Sequence, residues 1–237
     1  MTLNKVKGDM YSFVNFTWNP IKGRCNHDCS YCYYQNNPRY KEKIGELRLD
    51  EKALKDNLGS GNFIFVGSST DMFSVDVPKE WILKVMEKTR LHKDNTYLWQ
   101  SKNTQRMFMF SHNVYYKTSI FGTTIETNKE TNISKAPQVK NRIEFLKRIK
   151  ESKNIHNEHP RTFITLEPII NFDLEALISM IKEVSPEWVA IGADSKGHGL
   201  KEPSKEKIIA LIKELRKFTE VKLKNNLARL CPMEEII

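Results

Sequence analysis

Three of the chain's four cysteines, Cys25, Cys29 and Cys32, fall within eight positions of one stretch, GRCNHDCSYCYYQ, and the fourth, Cys231, stands near the far end. An odd, close-set trio cannot pair internally, and in a reducing compartment it reads as metal ligation or redox chemistry rather than a disulfide framework. Three chemistries suit the spacing C-x3-C-x2-C. Structural zinc needs four nitrogen or sulfur ligands, with His27 or Cys231 as the fourth, but the chain has no second close-set couple of the kind zinc sites use. A four-cysteine electron-transfer cluster of the plant type has the spacing C-x4-C-x2-C and a distant fourth cysteine, which Cys231 matches while the first interval is one residue short. A 4Fe-4S cluster on three thiolates leaves one iron open to bind a substrate or cofactor.

Ligands so close in sequence need a loop to wrap the metal and a scaffold to hold the loop. Gly23 and Asn26 suit the tight turns of such a loop. Short apolar or β-branched runs at 12–18, 62–68, 96–101, 116–125, 161–168 and 188–194 predict strands, with a possible last one at 221–225. Between them, Val139, Arg142, Ile143, Leu146 and Ile149 keep a helical spacing, as do Leu174, Leu177, Ile178, Ile181 and Val184, and then Ile208, Leu211, Ile212, Leu215 and Phe218. Pro78, Asp173 and Ser204 stand where helices start. Strand and helix alternate about six times, which predicts an α/β fold with a mostly parallel sheet. Six units are too few for a closed eight-stranded barrel, so an open partial barrel and a doubly wound sheet are the two candidates. With no internal repeat and no linker rich in Pro, Gly and Ser, residues 1–237 are expected to form a single domain.

In parallel βα architectures, chemistry collects at the carboxyl ends of the strands. Here those ends carry Ser68, Ser69, Thr70 and Asp71, then Ser101 and Lys102, then Thr123, Thr124 and Glu126, then Glu167, and last Asp194 and Ser195. Serine, threonine and aspartate are also ordinary cap residues. Lys102 and Glu167 fit that plain reading least, because neither is a preferred cap and each follows an apolar strand. His27, among polar neighbours, is expected to be an exposed loop residue. Tyr33, Tyr34, Tyr115 and Tyr116 read as wall or core, although beside a basic mouth they are also able to stack on bases.

The 237 residues are 39% hydrophobic and 28% charged, with a net charge of +9. No apolar run reaches the roughly 18 residues of a membrane span, and the N-terminal stretch lacks the features of a signal peptide. A cytoplasmic protein is the expectation. The positive charge, spread over helices with interspersed acids, fits solvated faces or a polyanionic partner such as nucleic acid.

The string CNHDCSYCYY resembles the signature of the radical S-adenosylmethionine (radical SAM) superfamily, including the aromatic residue, Tyr31, before the third cysteine. This resemblance implies a partial (βα)6 TIM-like barrel and a 4Fe-4S cluster on Cys25, Cys29 and Cys32. It further implies an external electron donor, SAM chelated at the open iron, and reductive cleavage to a 5′-deoxyadenosyl radical that abstracts hydrogen from substrate. In the spore photoproduct lyase-like branch the strand ends are similar. By that likeness Tyr31 lies at the cofactor, Ser69 and Asp71 near the methionyl amino group of SAM, Lys102 near its carboxylate, and Thr124 and Glu126 near the ribose or sulfonium. Lys102, Glu167 and Asp194 are the candidate catalytic residues. Cys231 is a buried small residue, a hydrogen-atom relay like the cysteine of photoproduct lyases, or a fourth ligand.

From about residue 15 to about residue 225 the chain is similar to a phage-associated radical SAM family of unassigned function. Trp18-Asn19-Pro20, SSTDMF, KNTQRM, ITLEPI and WVAIG carry that likeness. Members usually read Gly-Gly-Glu-Ser after strand six; this chain reads Gly192, Ala193, Asp194, Ser195, a shorter carboxylate.

Overall fold

The computed structural model describes residues 3–8, 10–232 and 234. Ten strands and seven α-helices follow in the order β1 (Leu3–Lys5), β2 (Phe16–Trp18), β3 (Ile21–Lys22), α1 (Pro38–Lys41), β4 (Arg48–Leu49), α2 (Glu51–Leu54), β5 (Phe63–Val66), α3 (Lys79–Leu91), β6 (Thr96–Gln100) and α4 (Thr104–Phe110). The second half continues with β7 (Ser119–Thr124), α5 (Val139–Glu151), β8 (Arg161–Leu166), α6 (Leu174–Val184), β9 (Trp188–Ile191), α7 (Lys205–Leu215) and β10 (Glu220–Leu223).

Eight strands form one sheet in the order β1-β2-β5-β6-β7-β8-β9-β10. All neighbours from β2 to β10 are parallel, and β1 lies antiparallel on the β2 edge. Each parallel strand sits beside the next one in sequence, so the chain winds in one direction and has no topological switch point. That excludes a doubly wound sheet. β1 and β10 do not pair, so the sheet stays open, as a partial barrel does. The parallel array has seven strands, with β10 as the seventh.

The pleat sends alternate residues to opposite faces. Ile64, Val66, Tyr97, Trp99, Phe121, Ile164, Leu166, Val189 and Ile191 join the larger core with the apolar faces of the helices, among them Ile143, Leu146 and Ile149 of α5 and Leu211 and Leu215 of α7. Phe65, Leu98, Ile120, Phe163, Trp188 and Ala190 form a second, inner core. The first strand of the parallel array is shorter than the expected 12–18. Only Phe16–Trp18 of the run 12–18 is a strand; Tyr11 and Val14 belong to the inner core, with Met10 and Phe13 packed against it. The Phe13 ring meets Trp188 edge-on at 5.2 Å, and Trp188 stacks on Phe163 at the same distance. Those residues are apolar because they plug the barrel, not because they extend the sheet. At Gly122 a Cβ would fall 2.1 Å from the Phe163 ring, so only glycine leaves room for this packing.

β3 and β4 pair antiparallel and close the neck of a long excursion, residues 23–47, that carries the cysteines. Gly23 opens it with φ +111°, and a Cβ there would lie 2.2 Å from the Glu46 carbonyl oxygen. Both the backbone angle and the close approach require glycine. Among the described residues no helix is long and apolar enough to cross a membrane.

Candidate active site

The carboxyl ends of the strands open into a cavity of about 450 Å³ that the cysteine excursion flanks on one side and the β8–β10 ends on the other. Cys25, Cys29, Cys32, Tyr31, Ser69, Asp71, Lys102, Thr124, Glu167 and Asp194 all line it. Of the residues singled out in the sequence, Glu126 stands behind the wall and Cys231 lies elsewhere. Cys231 is fully buried in the larger core.

The cysteine loop is braced from three directions. Thr70 Oγ1 donates to the Gly23 carbonyl at 2.9 Å, Gln35 Nε2 donates to the Cys25 carbonyl at 2.9 Å, and the Lys135 amide donates to the His27 carbonyl at 2.7 Å. His27 corrects the expectation of an exposed residue: it is 6% exposed, and its Nε2 lies 2.8 Å from Asp71 Oδ2. Asp71 is a hub. Its carboxylate also accepts from the Phe73 and Lys102 amides and from the Ser101 hydroxyl, each at 2.9 Å. Burial opposes its charge, yet His27 and these donors hold its carboxyl below the usual range. Asp71 therefore fastens the cysteine loop to the ends of β5 and β6, and its oxygens are already engaged.

Behind the loop runs a buried ionic chain. Lys102 Nζ lies 3.0 Å from Cys29 Sγ and 3.1 Å from Glu126 Oε1, and it donates to the Tyr31 hydroxyl. Tyr31 in turn donates to Glu126, whose other oxygen accepts from Arg142 Nη1 of α5 at 2.9 Å. Burial works against ionising Glu126, but Lys102, Arg142 and the Tyr31 hydrogen bond hold its carboxyl down to about 2. Such a chain is costly to interrupt, because removing one member leaves a buried charge uncompensated. Glu126 thus positions Lys102 and Tyr31 and does not face the cavity.

The opposite wall holds two further carboxylates. Glu167 accepts from Lys224 Nζ at 2.6 Å and from Asn226 Nδ2 at 3.0 Å. Gly192 makes room for it, since a Cβ there would lie 2.9 Å from the Glu167 carboxyl and from Asn226 Oδ1. Lys224 stands 4.9 Å over the Tyr11 ring, and Tyr11 continues through Gln100 to Thr124 with hydrogen bonds of 3.0 and 2.9 Å. Asp194 Oδ1 lies 2.6 Å from His198 Nδ1, and Oδ2 accepts the His198 amide. Burial raises and His198 lowers the Asp194 carboxyl, and the net result is below the usual range. Ser69 is held by its amide on Asn19 Oδ1 at 3.0 Å.

Sequence reasoning missed Arg142, Lys224, Asn226, His198, Gln100 and Tyr11. One signal was available: Arg142 occupies a position on the apolar face of α5, where a charged residue needs a buried partner.

The donor set suits a thiolate-bound cluster, with three unpaired cysteines of one loop on one cavity wall. The Gln35 amide also donates to Cys32 Sγ at 3.3 Å, a contact that supports a ligating sulfur. Burial first, and then Asp71, push the Cys25 thiol up to about 12, and a bound metal would displace that proton. Among the described residues no group of three or more His, Cys, Asp or Glu side chains converges as a metal site.

Solved structures share this fold. A single-site mutant of spore photoproduct lyase superposes with a TM-score of 0.64 at 9% identity, covering 91% of this chain and 78% of that one. Spore photoproduct lyase complexed with dinucleoside spore photoproduct gives 0.61 at 9% identity, with 91% and 78% coverage. A double mutant with bound AdoMet and dinucleoside spore photoproduct gives 0.53 at 10% identity, with 89% and 64% coverage. No curated protein matches the sequence. Residues 10–222 match the family described as "Protein of unknown function (DUF5131)", and the chain belongs to that family.

Proposed function

We propose that the protein is a radical SAM enzyme, with Cys25, Cys29 and Cys32 holding a 4Fe-4S cluster and SAM bound in the adjoining cavity. The observation that carries the reading is the placement of all three cysteines on the wall of a cavity at the carboxyl ends of an open, singly wound parallel sheet. One of the fold relatives binds AdoMet, which supports the same cofactor here. The motifs around Trp18, Asp71, Lys102, Glu167 and Trp188 favour kinship with the phage-associated branch. When bound, the cluster would pass an electron from an external donor to SAM and so supply a carbon radical for hydrogen abstraction.

The chain's own residues bind and orient. Lys102, largely buried and cationic, is positioned by Glu126 and Tyr31 to stand beside Cys29 and to neutralise the SAM carboxylate, where a charge-assisted bond is stronger than at a surface. Ser69 and Thr124 offer hydroxyls to the cofactor, while the engaged Asp71 holds the loop in register. Glu167 and Asp194 stand across the cavity, where the substrate would enter. Gln35 Oε1, beside the cysteines, is buried without a partner among the described residues, an acceptor that a bound group would be able to satisfy.

The test is metal content and SAM affinity after anaerobic reconstitution. About four irons and four sulfides per chain, lost in Cys25→Ala, Cys29→Ala and Cys32→Ala alike but not in Cys231→Ala, support the reading. Stoichiometric zinc, or a cluster that needs Cys231, refutes it.

A further inference from the structure

The mouth of this cavity presents its polar groups unequally. Each of the four acids that line it is already engaged: Asp28 by Lys135 at 2.8 Å, Asp71 by His27 at 2.8 Å, Glu167 by Lys224 at 2.6 Å and Asp194 by His198 at 2.6 Å. Two cations on the same rim are exposed and have no ion-pair partner among the described residues, Lys7 of the N-terminal segment and Lys196 of the loop after β9. What the mouth offers an incoming ligand is therefore uncompensated positive charge. From the cysteine side comes an aromatic face. Tyr33 lines the cavity, as a wall residue does, and is at the same time 47% exposed, with its hydroxyl donating to the Ser68 carbonyl at 2.9 Å. Tyr34 and Tyr40 continue outward from it with ring spacings of 6.2 and 5.6 Å.

Size adds a constraint. A cavity of about 450 Å³ is near the lower end of the range that encloses a single small ligand. SAM alone is a ligand of the size such a cavity encloses, so a further substrate must lie across the rim and present only its reacting unit at the mouth. Exposed rings that accept any base, combined with cations that track phosphates, are the physical requirements for holding a single strand.

We propose that the substrate is a single-stranded nucleic acid, with its phosphates met by Lys7 and Lys196, a base stacked on Tyr33 and the target nucleotide presented at the mouth of the cavity. The net charge of +9 would speed its arrival. This inference rests on the enzyme reading only in calling the strand a substrate; binding itself is separate.

The experiment is fluorescence anisotropy with the full chain and labelled 12-nucleotide single strands of DNA and RNA, and the DNA duplex, across a salt series and without SAM. Expected are binding of one or both single strands more tightly than the duplex, and a salt slope reduced by about 0.7 for each of Lys7→Ala and Lys196→Ala. Tyr33→Ala should weaken binding roughly tenfold, and Lys213→Ala on the outer helix α7 should change nothing. No binding at physiological salt overturns the proposal, as do equal losses in Lys213→Ala and the rim variants, or a preference for duplex. Strand binding without SAM cleavage would sink the enzyme reading and leave the strand site standing; SAM cleavage without strand binding would do the reverse.

Discussion

Replacing Glu126 by glutamine keeps the shape of the side chain and removes the charge that balances Lys102 and Arg142. The carboxyl is held at about 2 against a reference of 4.5, and its side chain is only 3% exposed. A drop of about 2.5 units, at about 1.36 kcal/mol per unit, corresponds to about 3 kcal/mol of folding stability. Because the folded-state pKa is depressed, that stability is fully present above the unfolded pKa and is lost as pH falls toward about 2. Glu126→Gln should therefore unfold about 3 kcal/mol more easily than the parent at pH 7, with the gap falling to about half near pH 3. For a chain of this size that is a fall in Tm of about 6 to 12 °C at pH 7. Urea denaturation of both proteins at several pH values measures it. A gap below about 1 kcal/mol at pH 7, or one that stays constant as pH falls, would refute the argument that this chain of charges is held together by an ionised Glu126.

Lys102→Ala should weaken SAM binding at least tenfold while iron content is retained, since an ammonium-carboxylate bond is lost but no ligand is; calorimetry of the reconstituted protein and iron analysis check both. Gly192→Ala should destabilise by about 1 to 3 kcal/mol, because the added methyl meets the Glu167 carboxyl and Asn226, and SAM affinity should stay within about twofold on the far wall; thermal denaturation and calorimetry separate the two effects. Cys231→Ala should keep the cluster and cost about 1 kcal/mol of stability, as for a small buried group; loss of iron in this variant would make Cys231 a ligand after all.

The fold was legible where burial imposes a period. The runs at 62–68, 96–101, 116–125, 161–168 and 188–194 each contain one strand, because alternate residues such as Phe65 and Ile64 face different cores and both must be apolar. The run at 12–18 misled for the same reason, since a plug segment inside a barrel is as apolar as a strand. The antiparallel β1, Leu3–Lys5, and the two-residue strands β3 and β4 are too short to leave a pattern. In the site, residues at strand ends were found because topology fixes where chemistry collects. Their partners were not: Lys224 and Asn226 meet Glu167 from 57 and 59 residues away, and nothing local in the sequence records such pairings. His27 looked exposed because its neighbours are polar, yet a polar loop folded onto Asp71 is buried by its hydrogen bonds rather than by hydrophobicity.

A 4Fe-4S cluster held by Cys25, Cys29 and Cys32 alone would leave one iron open to SAM. Electron paramagnetic resonance of the anaerobically reconstituted, reduced protein, with and without SAM, together with an assay for 5′-deoxyadenosine, tests it most directly. An open iron predicts a 4Fe-4S signal that shifts when SAM is added and deoxyadenosine that forms only in its presence. A cluster signal indifferent to SAM, with no deoxyadenosine formed, would contradict it and return the three cysteines to electron transfer or structure.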